Sequence, residues 1–233
     1  MMVMGVADAA EQLGVSARRV RQLIESGELR AARVGRSWGV HADSVAARGQ
    51  GAVVSGRPLK EGSVWRIALL ADGNIERLDE VSAAERWRAR RALEDLLDEA
   101  NLSVIEFKLR ARCGRLEHLF AHPSVIDELA RDDALILTGQ RAATRLGMDL
   151  VPSKDLDAYV ETAVLGKLGR RYGLRRVASE NANVVLRVLD HPVPGSAGGV
   201  APRLLVAADL LRSGDARSRI AAKKLIRALS SDR

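Results

Sequence analysis

The chain is poor in cysteine and histidine, and it has no long apolar run. Its single cysteine, Cys113, rules out an internal disulfide. The flanking "RARCGR" would favour a thiolate, but the plainer reading is an incidental thiol in a basic segment. Of four histidines only His118 and His122 stand at helical spacing. Their context, "EHLFAHP", lacks a glutamate beside His118 and runs at once into Pro123, so no metal site is expected. No window is continuously apolar for the ~18 residues of a membrane helix. The start, "MMVMGVADAAEQLG", shows no basic leader followed by an apolar run, so a cytoplasmic, nucleoid-associated location is expected. Nucleotide loops are missing too. "LILTGQRAA" has the outline of strand, glycine turn and helix, but neither "GxxxxGK[ST]" nor "GxGxxG" occurs. No Ser/His/Asp set stands out, and Asp209 and Asp215, six apart across a glycine, read as cap and turn residues. No enzyme, cofactor or membrane partner is therefore expected.

Arginine is what the chain has in excess. Lysine and arginine number 37 against 30 acidic residues, giving a net charge of +7 and a pI of about 10.1. A basic balance favours a polyanionic partner, though placement says more than the total. Six arginines fall within residues 15–45.

That stretch has a helical frame. In "VADAAEQLG" Val6, Ala10 and Leu13 recur at spacings of four and three, and Gly14 ends the run. Ser16 then stands as N-cap of a second helix whose apolar face is Val20, Leu23 and Ile24, with Gly27 as its C-cap. Two short helices joined by a glycine turn make a helix-turn-helix. Arg18, Arg19, Arg21 and Gln22 lie off the apolar face, in the first two turns of the second helix, the part of a recognition helix that enters the major groove. Arginine pairs bidentately with guanine and glutamine with adenine. Beyond Gly27, Ala32 and Val34 alternate with Arg33, and Trp38 and Val40 with Gly39, across a "GRS" turn. This reads as a hairpin wing over 31–40, from which Arg33 and Arg36 meet phosphate or the minor groove. Trp38 is expected to pack the wing onto the helices rather than stack on a base. Asp43 would cap a further short helix carrying Val45.

The run "VADAAEQLGVSARRVRQLIESGELRAARVGRSWGVHADSV" resembles the winged helix-turn-helix of excisionase and MerR-type regulators. The resemblance rests on the pattern "S-x-R-x-V-x-x-L-I-x-x-G-x-L" and on a wing ending in "R-x-W". It implies a recognition helix over 16–26 carrying Ser16, Arg18, Arg19, Arg21 and Gln22, and a wing carrying Arg33, Arg36 and Trp38.

The rest of the chain reads as linker, helices and strands. "GQGAVVSGRPLK" is a glycine-rich basic linker over 49–60. "EGSVWRIALLADG" is a short helix. "SAAERWRARRALEDLLDEA" is a longer one, opened by a Ser82/Glu85 capping box, with Arg86, Arg88, Arg90 and Arg91 in its front half. Val104, Glu106 and Lys108 interleave with Ile105, Phe107 and Leu109, which suits a strand. "PSVIDELARDD" is a capped short helix, "DLDAYVETAVLGKLGRRYGLRR" an amphipathic segment ending at Gly173, and "NANVVLRVLD" a buried strand. A closing helix pair runs from about Arg203, broken at Gly214, with Asp215 as N-cap of the second helix.

Residues 123–229 resemble the C-terminal domain of antitoxins paired with nucleotidyltransferase-like toxins in Abi-type abortive-infection systems. The clearest part is "AP…ADLLRSGDARSRIAAKKLI" after "NVVLRV", with "ILTGQRAA" and "DAYV" in support. The chain as a whole, including "GRPLKEGSVWRIALL", also resembles actinobacterial helix-turn-helix regulators.

The expected fold class is α+β. A winged helix-turn-helix over 1–48 precedes the linker, a helical middle region over 61–122 and a mixed, mainly helical α/β domain over 123–233. The expected function is a sequence-specific regulator of transcription that binds double-stranded DNA, with a homodimer built on the 82–99 helix or on the final helix pair. The alternatives are an autoregulating antitoxin whose partner is a cognate toxin protein, and an excisionase-like architectural protein.

Overall fold

A computed structural model describes residues 3–25, 29–34, 37–42, 44–45, 58–74, 81–99, 102–112, 115–151, 153–190, 199–213 and 215–231. Gly27, Arg36, Asp43, Cys113, Gly214 and most of the expected linker lie outside them. The chain divides into two units, Met1–Gly56 and Arg57–Arg233, each with its own apolar core.

The first unit runs β1 (Val3–Gly5), α1 (Val6–Leu13), α2 (Ala17–Glu25), β2 (Ala31–Val34) and β3 (Ser37–His41). Helix α1 starts where the Asp8 carboxylate accepts the Gly5 backbone N–H at 3.1 Å. It stops at Gly14, whose φ of 64° and ψ of 30° lie in the left-handed region that glycine enters without a Cβ penalty. The Gly14 and Val15 N–H groups then close the last turn onto Glu11 and Ala10 carbonyls. Ser16 caps α2, its Oγ accepting the Arg19 N–H at 3.2 Å. The sheet order is β1-β3-β2, antiparallel throughout. The first strand is not legible as one in "VMG", because three residues carry no period and form a strand only by pairing with Gly39–His41. Ala9, Ala10, Val20, Leu23, Leu29, Val40 and Val45 form the core between helices and sheet.

The second unit begins with helices α3 (Glu61–Ala71), α4 (Ala83–Leu97) and α5 (Leu102–Lys108). Strand β4 (Arg115–Phe120) leads through a short 3-10 turn to α6 (Ile126–Leu129), β5 (Ile136–Leu137), α7 (Gly139–Arg145), β6 (Leu156–Glu161) and α8 (Thr162–Tyr172). Then follow β7 (Arg175–Arg176), β8 (Val184–Leu189), α9 (Arg203–Ser213) and α10 (Ala216–Ser231). Among the described residues the strands form one mixed sheet in the order β5-β6-β8-β4-β7, in which β6 and β8 run parallel and the other paired strands antiparallel. The capping box at Ser82 and Glu85 is present in full, and its hydrogen bonds hold the Glu85 carboxyl below its ordinary pKa.

Two expectations are corrected here. Residues 102–108 are helical, not a strand. Alternation there is incidental, because Ile105 and Leu109, one helical turn apart, are both fully buried and share a face. The amphipathic segment from Asp155 resolves into β6 and α8 and ends at Gly173 as expected, with Leu156, Ala158, Tyr159 and Val160 buried in the sheet. The 61–122 stretch is not a separate region, since β4 pairs with β8 and one core runs through both halves.

At the centre of this unit lies a buried ionic cluster. Asp209 on α9 accepts Arg112 Nε at 2.5 Å and Arg187 Nε at 2.8 Å on one oxygen. Its other oxygen accepts Thr138 Oγ1 at 2.6 Å and Tyr159 OH at 2.9 Å. Arg187 also pairs with Asp157, so two guanidiniums face two carboxylates. Burial pushes the Asp209 carboxyl up. The Arg112 and Arg187 charges and the Thr138 hydroxyl outweigh it and hold the group below the usual carboxylate range. Asp209 is thus neither cap nor turn residue, whereas Asp215 does cap α10, accepting the Ser218 N–H at 2.8 Å. Trp65 packs edge-on to Tyr159 at 5.1 Å and donates its indole N–H to the Arg112 carbonyl, which ties α3 to the cluster.

Candidate nucleic-acid interface

Helix α2 turns Val20 and Leu23 into the core and leaves Arg18, Arg19, Arg21 and Gln22 exposed. Arg18, Arg21 and Gln22 are three and four residues apart and share one face, with Arg19 at its edge. Glu25 is also exposed on this face, one turn beyond Arg21. The sequence reading passed over it, although the spacing alone places it there. Among the described residues none of Arg18, Arg19 and Arg21 makes an ion pair. The first turn of α2 holds no acidic residue. Arginines at a helix N-terminus oppose the macrodipole, a cost of about 0.3–1 kcal/mol at an exposed site that a bound anion relieves.

The second part of the surface is the β2–β3 pair. Arg33 stands directly opposite Trp38 in the antiparallel register. Its guanidinium lies over the indole ring at 4.8 Å from the centroid, a cation–π contact that orients the charge. Arg33 is exposed and Trp38 half-buried. The Trp38 ring thus carries the Arg33 guanidinium, two residues along the strand from the buried Val40. Arg36 lies outside the described residues. Ser16 spends a lone pair on the α2 cap, which leaves its hydroxyl proton to donate.

Among the described residues no group of three His, Cys, Asp or Glu side chains is placed to hold a metal ion, and no helix is long and apolar enough to cross a membrane.

The arrangement is that of a helix-turn-helix module with one basic helix face. A family model described as a helix-turn-helix domain matches residues 3–48, so the chain carries an N-terminal domain similar to that family. The matched span takes in all five elements of the first unit. No curated protein and no solved structure matches the chain.

Proposed function

We propose that the protein is a sequence-specific regulator of transcription that binds double-stranded DNA through its first unit. The observation that carries this reading is the exposed face of α2: three arginines, without ion pairs among the described residues, and a glutamine, around a helix whose opposite side is fixed in a core. In this reading residues 16–26 form the recognition helix. Arg18, Arg21 and Gln22 reach base edges in the major groove, while Arg19 and the Ser16 hydroxyl hold flanking phosphate. The β2–β3 pair is the wing, with Arg33, held by Trp38, on phosphate or in the minor groove. Two copies would bind two half-sites together, which supplies the affinity one small module lacks.

The test is a genome-wide map of binding positions for the tagged protein beside an Arg18→Ala/Arg21→Ala double variant. Sharp peaks at a few promoters, lost in the variant, are the expected outcome. Diffuse signal that the variant leaves unchanged would sink the proposal.

A second reading, an antitoxin that represses its own operon, draws on the Abi-type resemblance, whose clearest residues form α9 and α10. It requires an adjacent gene for a nucleotidyltransferase-like protein that is toxic when expressed alone.

A further inference from the structure

Helix α10 packs one side of the second unit through Ser218, Ala221, Ala222, Leu225, Ile226 and Leu229. Its outer side carries Arg217, Arg219, Lys223, Lys224 and Arg227, all exposed, and its sequence "ARSRIAAKKLIRALSS" has no carboxylate. Among the described residues none of these five cations makes an ion pair. Ile220 sits in the middle of this basic face with 57% of its surface exposed. Beside it, the loop after α7 presents Val151, 70% exposed, and Met148. These three apolar groups, with Arg217, Lys224 and Asp149, line a groove of about 380 Å³. Clefts that take ligands begin at about 300 Å³. Five large apolar side chains are exposed among the described residues, and two of them meet here.

We propose that this groove docks an acidic peptide segment of another protein, one that places an aliphatic side chain between Ile220, Val151 and Met148 and carboxylates against Arg217 and Lys224. Three observations select that occupant. The uncompensated charge of α10 calls for an anionic partner. The aliphatic floor favours a polypeptide over a phosphodiester backbone, because phosphate contacts use cations and hydrogen-bond donors and gain nothing from a valine and an isoleucine. A second copy of this chain is disfavoured, since two-fold symmetry would set one uncompensated basic helix against another. The inference uses only the second unit, so it does not depend on how the first unit meets DNA.

The experiment pans a phage-displayed library of random peptides, each about 15 residues long, on the full chain. The most enriched peptide is then titrated by fluorescence anisotropy against wild type, Ile220→Ser and the double variant Arg217→Glu/Lys224→Glu. These side chains are exposed, so circular dichroism and thermal midpoint should match wild type. The expected result is enrichment of sequences that set aliphatic residues among Asp and Glu, with affinity lower by about tenfold or more in both variants. Enrichment of basic or uncharged peptides overturns the proposal. So does an acidic peptide whose binding Ile220→Ser leaves intact, because bare charge then explains it. If no peptide is enriched and charge reversal weakens binding to random-sequence duplex DNA, the occupant is phosphate and the proposal falls. Loss of a dimer in Ile220→Ser, seen by sedimentation, would assign the groove to a second copy and also overturn it.

Discussion

Arg18, Arg21 and Asp209 are all charged residues in helices, yet their surroundings set them different tasks. Arg18 and Arg21 are exposed and have no ion-pair partner among the described residues, so their replacement by alanine should leave the fold intact. If either reads a base edge, its loss costs about 1–3 kcal/mol and relaxes preference at one position of the site. If it holds only phosphate, binding weakens on all sequences and the salt dependence becomes shallower by about one unit of slope. Competition binding at several salt concentrations separates the two. Asp209 has the opposite character. Its carboxylate takes four donors inside the core, so Asp209→Ala leaves Arg112 and Arg187 short of their counter-charge. The expected loss is about 3–5 kcal/mol in chemical denaturation of the second unit. The pH dependence follows from the lowered pKa. The folded value lies below the unfolded one of about 3.9, so the stabilisation is present above that pH and is lost as pH falls through the folded value. Thermal midpoints of the second unit should therefore drop below about pH 4, and the acid-dependent part should shrink in Asp209→Asn.

At the scale of the element, the helix-turn-helix depends on how α1 stops. Gly14 holds a left-handed conformation, and a Cβ placed there would meet nothing within 4 Å. Gly14→Ala therefore carries a backbone cost alone, about 1–2 kcal/mol, read as a lower midpoint of the first unit in chemical denaturation. DNA affinity should fall only as far as that unit unfolds. Most of α1 and α2 was legible in the sequence, because apolar spacing, a terminal glycine and a capping serine act within a few residues of one another. Strand β1 and helix α5 were not. The first has no pattern of its own, and the second has a short alternation that either period accommodates until Ile105 and Leu109 meet the core. For Trp38 the hairpin register was readable, but not which neighbour the ring would face.

For the whole molecule, two separate cores imply two units of unequal stability. Among the described residues the core of 57–233 gathers most of the buried side chains, whereas the first unit has seven buried apolar ones. Small cores bury a lower share of their surface and are marginal. Differential scanning calorimetry should resolve two transitions, the less stable one belonging to the first unit. Asp209→Ala should move only the more stable transition. Under the proposed function specific duplex DNA engages only the folded first unit, so its addition should raise only the less stable transition.

The sequence by itself determined the helix-turn-helix, its Gly14 and Ser16 caps and the arginine face of α2, because each depends on neighbours a few residues away. The tertiary structure alone decided the mixed sheet, the fate of Asp209 and the groove along α10. Arg112, Thr138, Tyr159, Arg187 and Asp209 span 97 residues from first to last, and nothing local marks them as partners. One signal is local: "LLVAADLL" and "VVLRVL" each set one charge in an otherwise apolar run. Such a charge must be paired once the run is buried. Which charge pairs with which is fixed only when sheet and helices close around them.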